Sequence, residues 1–160
     1  MKFNTKLLHG KAGRNTPDGA TLPGISQVSA FSYDSAEHLE KVFGNKSPGF
    51  AYTRIGNPTV AAFEQRINEV EGGTGAVACA SGMAAITVAL LNVLSAGDEI
   101  IAGSGLFGGT IDLFKDLEAF GITTHFIPHI TVEDIKPVLN QNIKAVFGEI
   151  IGNPWLDVVN

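Results

Sequence analysis

Between Glu71 and Asp98 the chain carries no charged side chain, and a single Ser81-Gly82 pair divides that stretch into two apolar runs. Such a segment must be buried in a protein core or in a bilayer, and this choice constrains the fold more than any other feature. Ala76 to Ala80 is short and uncharged, which suits a strand covered on both faces. Met83 to Leu94 is apolar almost all round, with Thr87 and Asn92 as its only polar side chains, so a helix here is expected to be buried. Ala96-Gly97-Asp98 ends it, and Glu99 to Ala102 reads as the next strand. The span from Ala76 to Ala96 is long enough to cross a membrane. The central Ser81-Gly82 break, the many alanines and the lack of flanking basic residues favour a buried strand followed by a buried helix.

A Ser-Gly turn between a strand and a helix start has a chemical use. The first backbone N–H groups of a helix are unpaired, and the helix dipole favours an anion beside them. Gly82 lets an anion approach the backbone, and the Ser81 hydroxyl could donate a further hydrogen bond. Ser81, Gly82 and Met83 are therefore the first candidate site, a cup for a phosphate.

The 160 residues are enough for one domain with a sizeable core. An apolar content of 44% with 17% charged residues is that of a globular chain. A net charge of −5 and the absence of a Lys/Arg cluster argue against nucleic-acid binding. Cys79, the only cysteine, cannot form an internal disulfide, and inside an apolar run it reads as an inert core thiol. The N-terminus MKFNTKLLHGK lacks an apolar core segment, so no signal peptide is read and a cytoplasmic protein is expected.

Residues 1–30 are rich in Gly, Thr, Pro and Asn and have no sustained period. They read as an extended arm, with a short strand at Ile25 to Phe31, that needs another surface to lie on. Ser35 caps a helix over Ala36 to Phe43, with Ala36, Leu39, Val42 and Phe43 on one face. Asn57-Pro58 starts a longer helix in which Val60, Phe63, Ile67 and Val70 recur at helical spacing until Gly72-Gly73 stops it. The pattern then alternates: helix Gly108 to Phe120, strand Thr123 to Ile127, short helix Val132 to Leu139 capped by Thr131, and buried strand Lys144 to Phe147. Units of this length imply an α/β fold with parallel strands and right-handed crossovers.

Other residues carry possible chemistry. Tyr52 and Arg54, two apart, would point to the same side of extended backbone and could grip a phosphate together; the alternative is a packed Tyr beside a surface Arg. Gly103-Ser-Gly105-Leu-Phe-Gly108 matches the dinucleotide-binding pattern after a strand and before a helix. The acid that pattern requires at the end of the next strand is missing, since Pro128 stands there and no acid follows until Glu133. The glycines then serve to project Phe107 over something flat. Glu149 and Asn153 follow the Lys144 to Phe147 strand, where ligands bind in open α/β sheets, although Asn153-Pro154 is equally read as a turn. The four histidines have no metal-ligand spacing.

In combination, Y52TRIGNPT59, V70EGG73, A80SGMAAI86, G97DEII101, L106FGGT110 and E149IIGNP154 resemble the Cys/Met-metabolism family of pyridoxal-phosphate enzymes. The pieces run in the family's order from about residue 8 onward. The resemblance implies an aspartate-aminotransferase-like fold (fold type I). Residues 1–58 would be an N-terminal arm and interface segment, and residues 59–160 the first, truncated part of the large domain that binds the cofactor.

The resemblance implies roles as well. Ser81, Gly82 and Met83 stand at the cofactor-phosphate turn. Tyr52 and Arg54 stand where the family reaches across a dimer interface to a neighbour's cofactor phosphate. Phe107 replaces the family's usual Tyr over the pyridine ring, keeping the stacking without the hydroxyl. Glu149 and Asn153 match the strand-end motif near the cofactor. Within the family, L106FGGTIDLF114 and E149IIGNPWLDV158 are most similar to O-acetylhomoserine sulfhydrylase, which implies γ-replacement: acetate leaves and sulfide or a thiol adds. Y52TRIGNPT59 is equally similar to methionine γ-lyase, so γ-elimination is the alternative. Lysines 2, 6, 11, 41, 46, 115, 136 and 144 lack the family's S-x-T-K context, so the imine-forming Lys is expected beyond residue 160, and the chain alone is expected to be inactive. A small amino-acid substrate, a homo-oligomer (a dimer of dimers when complete), and no metal, nucleic acid or membrane partner complete the expectation. A non-catalytic remnant that only pairs with full-length subunits is the remaining alternative.

Overall fold

The computed structural model describes residues 2–10 and 19–159. The chain forms two compact units, Met1–Ala78 and Cys79–Asn160.

In the N-terminal unit, α1 (Phe3–His9) is a helix within the segment read as an extended arm. Seven residues are too few for a helix to persist alone. Its last turn is held from a distance: Arg66 Nη1 donates to Lys6 O at 2.7 Å and Leu7 O at 2.9 Å. The rest of the arm lies partly outside the described residues. Of the expected strand at Ile25 to Phe31, only one antiparallel bridge forms, Ala30 to Tyr52. Helix α2 (Ala36–Phe43) starts where expected, with the Ser35 hydroxyl accepting from His38 N. Only Val42 of its apolar face is buried. Helix α3 (Pro58–Glu71) has Asn57 as cap, Pro58 in its first turn and Gly72 in the left-handed region at φ 69°. Of the apolar residues that recur along it, Val60, Phe63 and Ile67 are exposed.

In the C-terminal unit, α4 (Gly82–Val93), β1 (Glu99–Gly103), α5 (Gly108–Leu117) with a 3-10 turn at Glu118–Phe120, β2 (Thr123–Ile127), α6 (Val132–Ile135) and β3 (Ile143–Phe147) follow in order. The sheet is parallel with strand order β2-β1-β3, as helical crossovers between strands require. Ile100 and Ala102 of β1 pack with Leu90 and Leu94 at the end of α4 and with Phe114 and Leu117 of α5. Phe114 meets Phe147 of β3 edge-on at 5.2 Å between centroids.

Several expectations are corrected. Ala76 to Ala80 forms no ladder, and Val77 is 80% exposed. A strand is covered on its faces only as part of a sheet that other elements pack against, and no strand pairs with this segment among the described residues. Cys79 is consequently exposed and is not a core thiol. Helix α4 was expected to be buried all round, but only Leu90 within it is, while Val88, Leu91 and Val93 face outward. Strand β3 is half-buried, with alternating cover, because it is an edge of the sheet. Helix α6 ends at Ile135, four residues short of Leu139.

Candidate functional site

Helix α4 is capped by Ser81, whose extended backbone (φ −158°) turns the chain and whose Oγ accepts from Ala84 N at 3.1 Å. Ser81 O accepts from Ala85 N. The N–H groups of Gly82 and Met83 therefore remain as the free donors of the first turn. The Ser81 hydroxyl hydrogen is also uncommitted, because its oxygen acts as acceptor. Nothing lies within 4 Å of where a Cβ on Gly82 would stand, so the approach to these donors is open.

The turn from β1 to α5 lies beside them. Ser104 ties it to the end of β2, its N–H donating to Ile127 O and its hydroxyl to Pro128 O, both at 2.8 Å. Leu106 is buried as an anchor, and Phe107 next to it is 52% exposed. A Cβ on Gly109 would come within 2.8 Å of Phe107 Cε1 and 3.6 Å of Met83 Sδ. The Phe107 ring thus lies over Gly109, next to the start of α4. The glycines of the G-x-G-x-x-G pattern serve this turn: a Cβ on Gly105 would meet Gly152 Cα at 3.5 Å.

The segment after β3 completes the arrangement. Glu149 Oε1 accepts the Phe107 N–H at 2.9 Å. Asn153 N donates to Gly105 O at 3.2 Å, and its side chain is exposed. Met83, Phe107, Glu149 and Asn153, far apart in sequence, are brought together at the C-terminal end of β1. A cavity of about 230 Å³ is lined by Gly105, Leu106, Ile130, Glu149, Gly152 and Val158 among others, and by none of the other predicted residues.

Tyr52 and Arg54 belong to the N-terminal unit. Their backbone is a turn and not the extended segment expected, with the N–H groups of Ile55 and Gly56 both donating to Tyr52 O. The two side chains still meet: Arg54 Cζ lies 5.3 Å from the centre of the Tyr52 ring, a cation–π distance. Both line an open groove against residues 26–29. What holds this turn was missed in the sequence. Asn57, 4% exposed, accepts from Thr59 N at 2.8 Å and donates to Ser26 O at 3.0 Å and Thr53 Oγ1 at 3.1 Å. Thr59 Oγ1 accepts from Ser26 N at 2.8 Å. The N-P-T sequence signals the helix start but not the second set of bonds.

At the opposite end of the sheet, Glu99 accepts from Asn140 Nδ2 at 2.8 Å and Asn142 Nδ2 at 3.1 Å and bonds His125 Nε2 at 2.5 Å. These bonds, that from Asn140 foremost, lower its pKa from 4.5 to about 2. The cluster joins the start of β1 to the middle of β2 and to the segment just before β3, and is remote from Phe107. Among the described residues no group of His, Cys, Asp and Glu could hold a metal ion, and no helix is long and apolar enough to cross a membrane.

The family profile described as Cys/Met metabolism PLP-dependent enzyme matches residues 4–160. The chain belongs to this family. It is 40% identical to homocysteine synthase of Schizosaccharomyces pombe over 98% of its own length and 37% of that protein's. It is 36% identical to an L-methionine gamma-lyase of Fusobacterium nucleatum, over 99% of this chain and 40% of that one. A Campylobacter jejuni crystal structure assigned as an O-acetylhomoserine (thiol)-lyase superposes with a TM-score of 0.89 at 31% identity, covering 100% of this chain and 40% of the other. It carries a pyridoxyl-lysine phosphate. A cystathionine gamma-lyase from Lactobacillus plantarum superposes with a TM-score of 0.86 at 33% identity, covering 99% of this chain and 39% of the other. The fold is therefore that of the PLP-dependent trans-sulfuration enzymes, as an incomplete α/β domain, and the chain spans about two-fifths of the length of these relatives. Membership of a PLP-dependent family also removes the basis for the dinucleotide reading of residues 103–108.

Proposed function

We propose that this chain forms the wall of a pyridoxal-phosphate site, holding the cofactor's phosphate and ring, in an enzyme that replaces the γ-substituent of O-acetylhomoserine with sulfide or a thiol. The observation that carries the reading is the meeting of Phe107, Gly109 and Met83 beside the free N–H groups of α4. A phosphorylated flat ring fits this donor set. The Gly82 and Met83 N–H groups and the Ser81 hydroxyl would donate to phosphate oxygens, and Phe107 would offer a flat apolar face to the ring. When bound, pyridoxal phosphate supplies an electron sink for chemistry at the carbons of an amino acid.

The chain's own residues orient and exclude. Phe107 has no hydroxyl, so it covers the ring without holding or moving a proton there. The exposed Asn153 amide is the group next to Gly105 that can reach a polar edge of the ring or a substrate carboxylate. Tyr52 and Arg54 contribute a cation and a phenol to the cofactor phosphate of a neighbouring copy in a cytoplasmic homo-oligomer. The imine-forming Lys comes from sequence outside these 160 residues. The pyridoxyl-lysine phosphate of the Campylobacter jejuni relative, two-fifths of whose length this chain matches, supports that placement.

Two further readings have specific support. The L-methionine gamma-lyases of Fusobacterium nucleatum, at 34% and 36% identity, favour γ-elimination as the alternative chemistry. The exposed apolar side chains of α3 favour a role in pairing with full-length subunits.

Adding pyridoxal phosphate to the 160-residue chain, followed by borohydride reduction, tests the site and the lysine together. The expected result is bound cofactor, seen by absorbance, with no stoichiometric pyridoxyl group on any one lysine and no turnover of O-acetylhomoserine. Turnover, or a single fully labelled lysine, contradicts the placement of the Lys. Failure to bind pyridoxal phosphate contradicts the site.

A further inference from the structure

Two helices of the C-terminal unit begin side by side, α4 at Gly82 and α5 at Gly108. Met83 Sδ and the Phe107 ring both border the space above Gly109. Each helix start carries unpaired N–H groups and partial positive charge, so on helix geometry alone either end could draw an anion. They are not equivalent. Helix α4 has a side-chain cap from Ser81 and no acid in its first turn. Helix α5 has Phe107 in the cap position, no side-chain cap and no acid in its first turn either.

What α5 lacks locally is supplied from the sheet. In a capping box, an acid at the third helical position accepts the N–H of the cap residue. That position in α5 is Thr110, which is fully buried and whose Oγ1 has no hydrogen-bond partner. The bond to the cap residue's N–H comes instead from Glu149, 42 residues further on, just past β3. A carboxylate at this point also complements the helix dipole. The segment carrying Glu149 is held in register with the turn: Asn153 N donates to Gly105 O, and a Cβ on Gly152 would come within 3.0 Å of Gly105 O.

We propose that Glu149 is a positioning residue. It completes the cap of α5 with its own charge, fixes the Phe107 turn, and leaves the start of α4 as the one of these two helix ends open to an anionic group. This rests on the reading of α4 as the phosphate seat and changes the role expected of Glu149. It acts through Phe107 and not by touching the cofactor.

The test uses the ¹⁵N-labelled 160-residue chain, titrated with inorganic phosphate, together with Glu149→Gln and Glu149→Ala. In the parent chain, phosphate is expected to shift the Gly82 and Met83 amides and to leave Gly108 and Gly109 in place. In Glu149→Ala all four amides shift, and the Phe107 N–H exchanges with solvent about tenfold faster. Glu149→Gln, which keeps an acceptor without the charge, shows the phosphate response at Gly108 and Gly109 with a smaller change in Phe107 exchange. Should Glu149→Ala not fold, Glu149→Gln and the parent chain carry the comparison. Phosphate shifting Gly108 and Gly109 in the parent chain as far as Gly82 and Met83 overturns the proposal. So does equal Phe107 exchange in parent and variants while the Phe114 amide stays protected. If phosphate moves none of the four amides in the parent chain, the anion seat at α4 is wrong, and the Phe107 exchange decides the positioning role by itself.

Discussion

The Phe107 ring occupies the space that Gly109 leaves by having no side chain, since a Cβ there would sit 2.8 Å from Phe107 Cε1. The ring-bearing turn and the helix start are thus built around one missing methyl group. Gly109→Ala is expected to displace the ring. Because Ala is favoured over Gly in a helix by about 1 kcal/mol, the variant should melt no lower than the parent. Its affinity for pyridoxamine 5′-phosphate should fall up to roughly tenfold, the value of a good ring stack. Equal affinity measured by fluorescence titration would show that Phe107 does not stack on the ligand.

Ser81 has two separable tasks. As cap of α4 it stabilises the helix by about 1 kcal/mol, which Ser81→Ala should lose in a denaturant titration. Ser81→Asp keeps a capping oxygen but brings a negative charge to the anion seat. It should hold stability near that of the parent while phosphate no longer shifts the Gly82 amide. An Asp variant that binds phosphate as the parent does would rule out this seat.

Asn57 links the α3 cap to the arm. Asn57→Ser keeps an oxygen for Thr59 N but is too short to reach Ser26 O, whereas Asn57→Ala loses both. Hydrogen exchange should therefore rise in both variants at the Phe31 and Thr53 amides, which bond Ala51 O and Ser29 O. It should rise at Thr59 only in Asn57→Ala. Each lost role is expected to cost about 1 kcal/mol. Unchanged exchange at Phe31 and Thr53 in Asn57→Ser would show that the arm is held by other bonds.

Glu99 gives the fold an acid limit. Its folded pKa of about 2 lies below the ordinary 4.5, chiefly through the Asn140 bond, then those of His125 and Asn142. A depressed carboxyl pKa contributes stability that is complete above pH 4.5 and is lost as the pH falls toward 2. Glu99→Gln should be less stable than the parent at neutral pH, and the difference should shrink across that window. A difference independent of pH between 5 and 2 would contradict the assignment.

The elements most legible in the sequence were those whose signals are local. Ser35, Asn57 and Thr131 all cap the helices they were expected to start, because a cap needs only a side chain and a backbone N–H three or fewer residues away. Strand β2 has the bounds read for it, and β1 extends one residue further, to Gly103. What failed depended on partners distant in sequence. Helix α1 is held by Arg66, and no period in a seven-residue segment announces that. Ala76 to Ala80 has strand composition, but composition does not supply a neighbouring strand. At the site, the types and order of Met83, Phe107, Glu149 and Asn153 were legible. The Glu149 bond to Phe107 N and the ring's seat on Gly109 were not, because both depend on how the turns after β1 and β3 approach each other.

The most direct measurement is a titration of the ¹⁵N-labelled chain with pyridoxamine 5′-phosphate, which binds without forming an imine. If the wall of the site is as described, the amides of Gly82, Met83 and Phe107 shift together along one saturable curve, while that of Glu99 at the far end of the sheet stays in place. Shifts confined to other residues, or none at saturating ligand, would contradict the assignment of this surface to the cofactor.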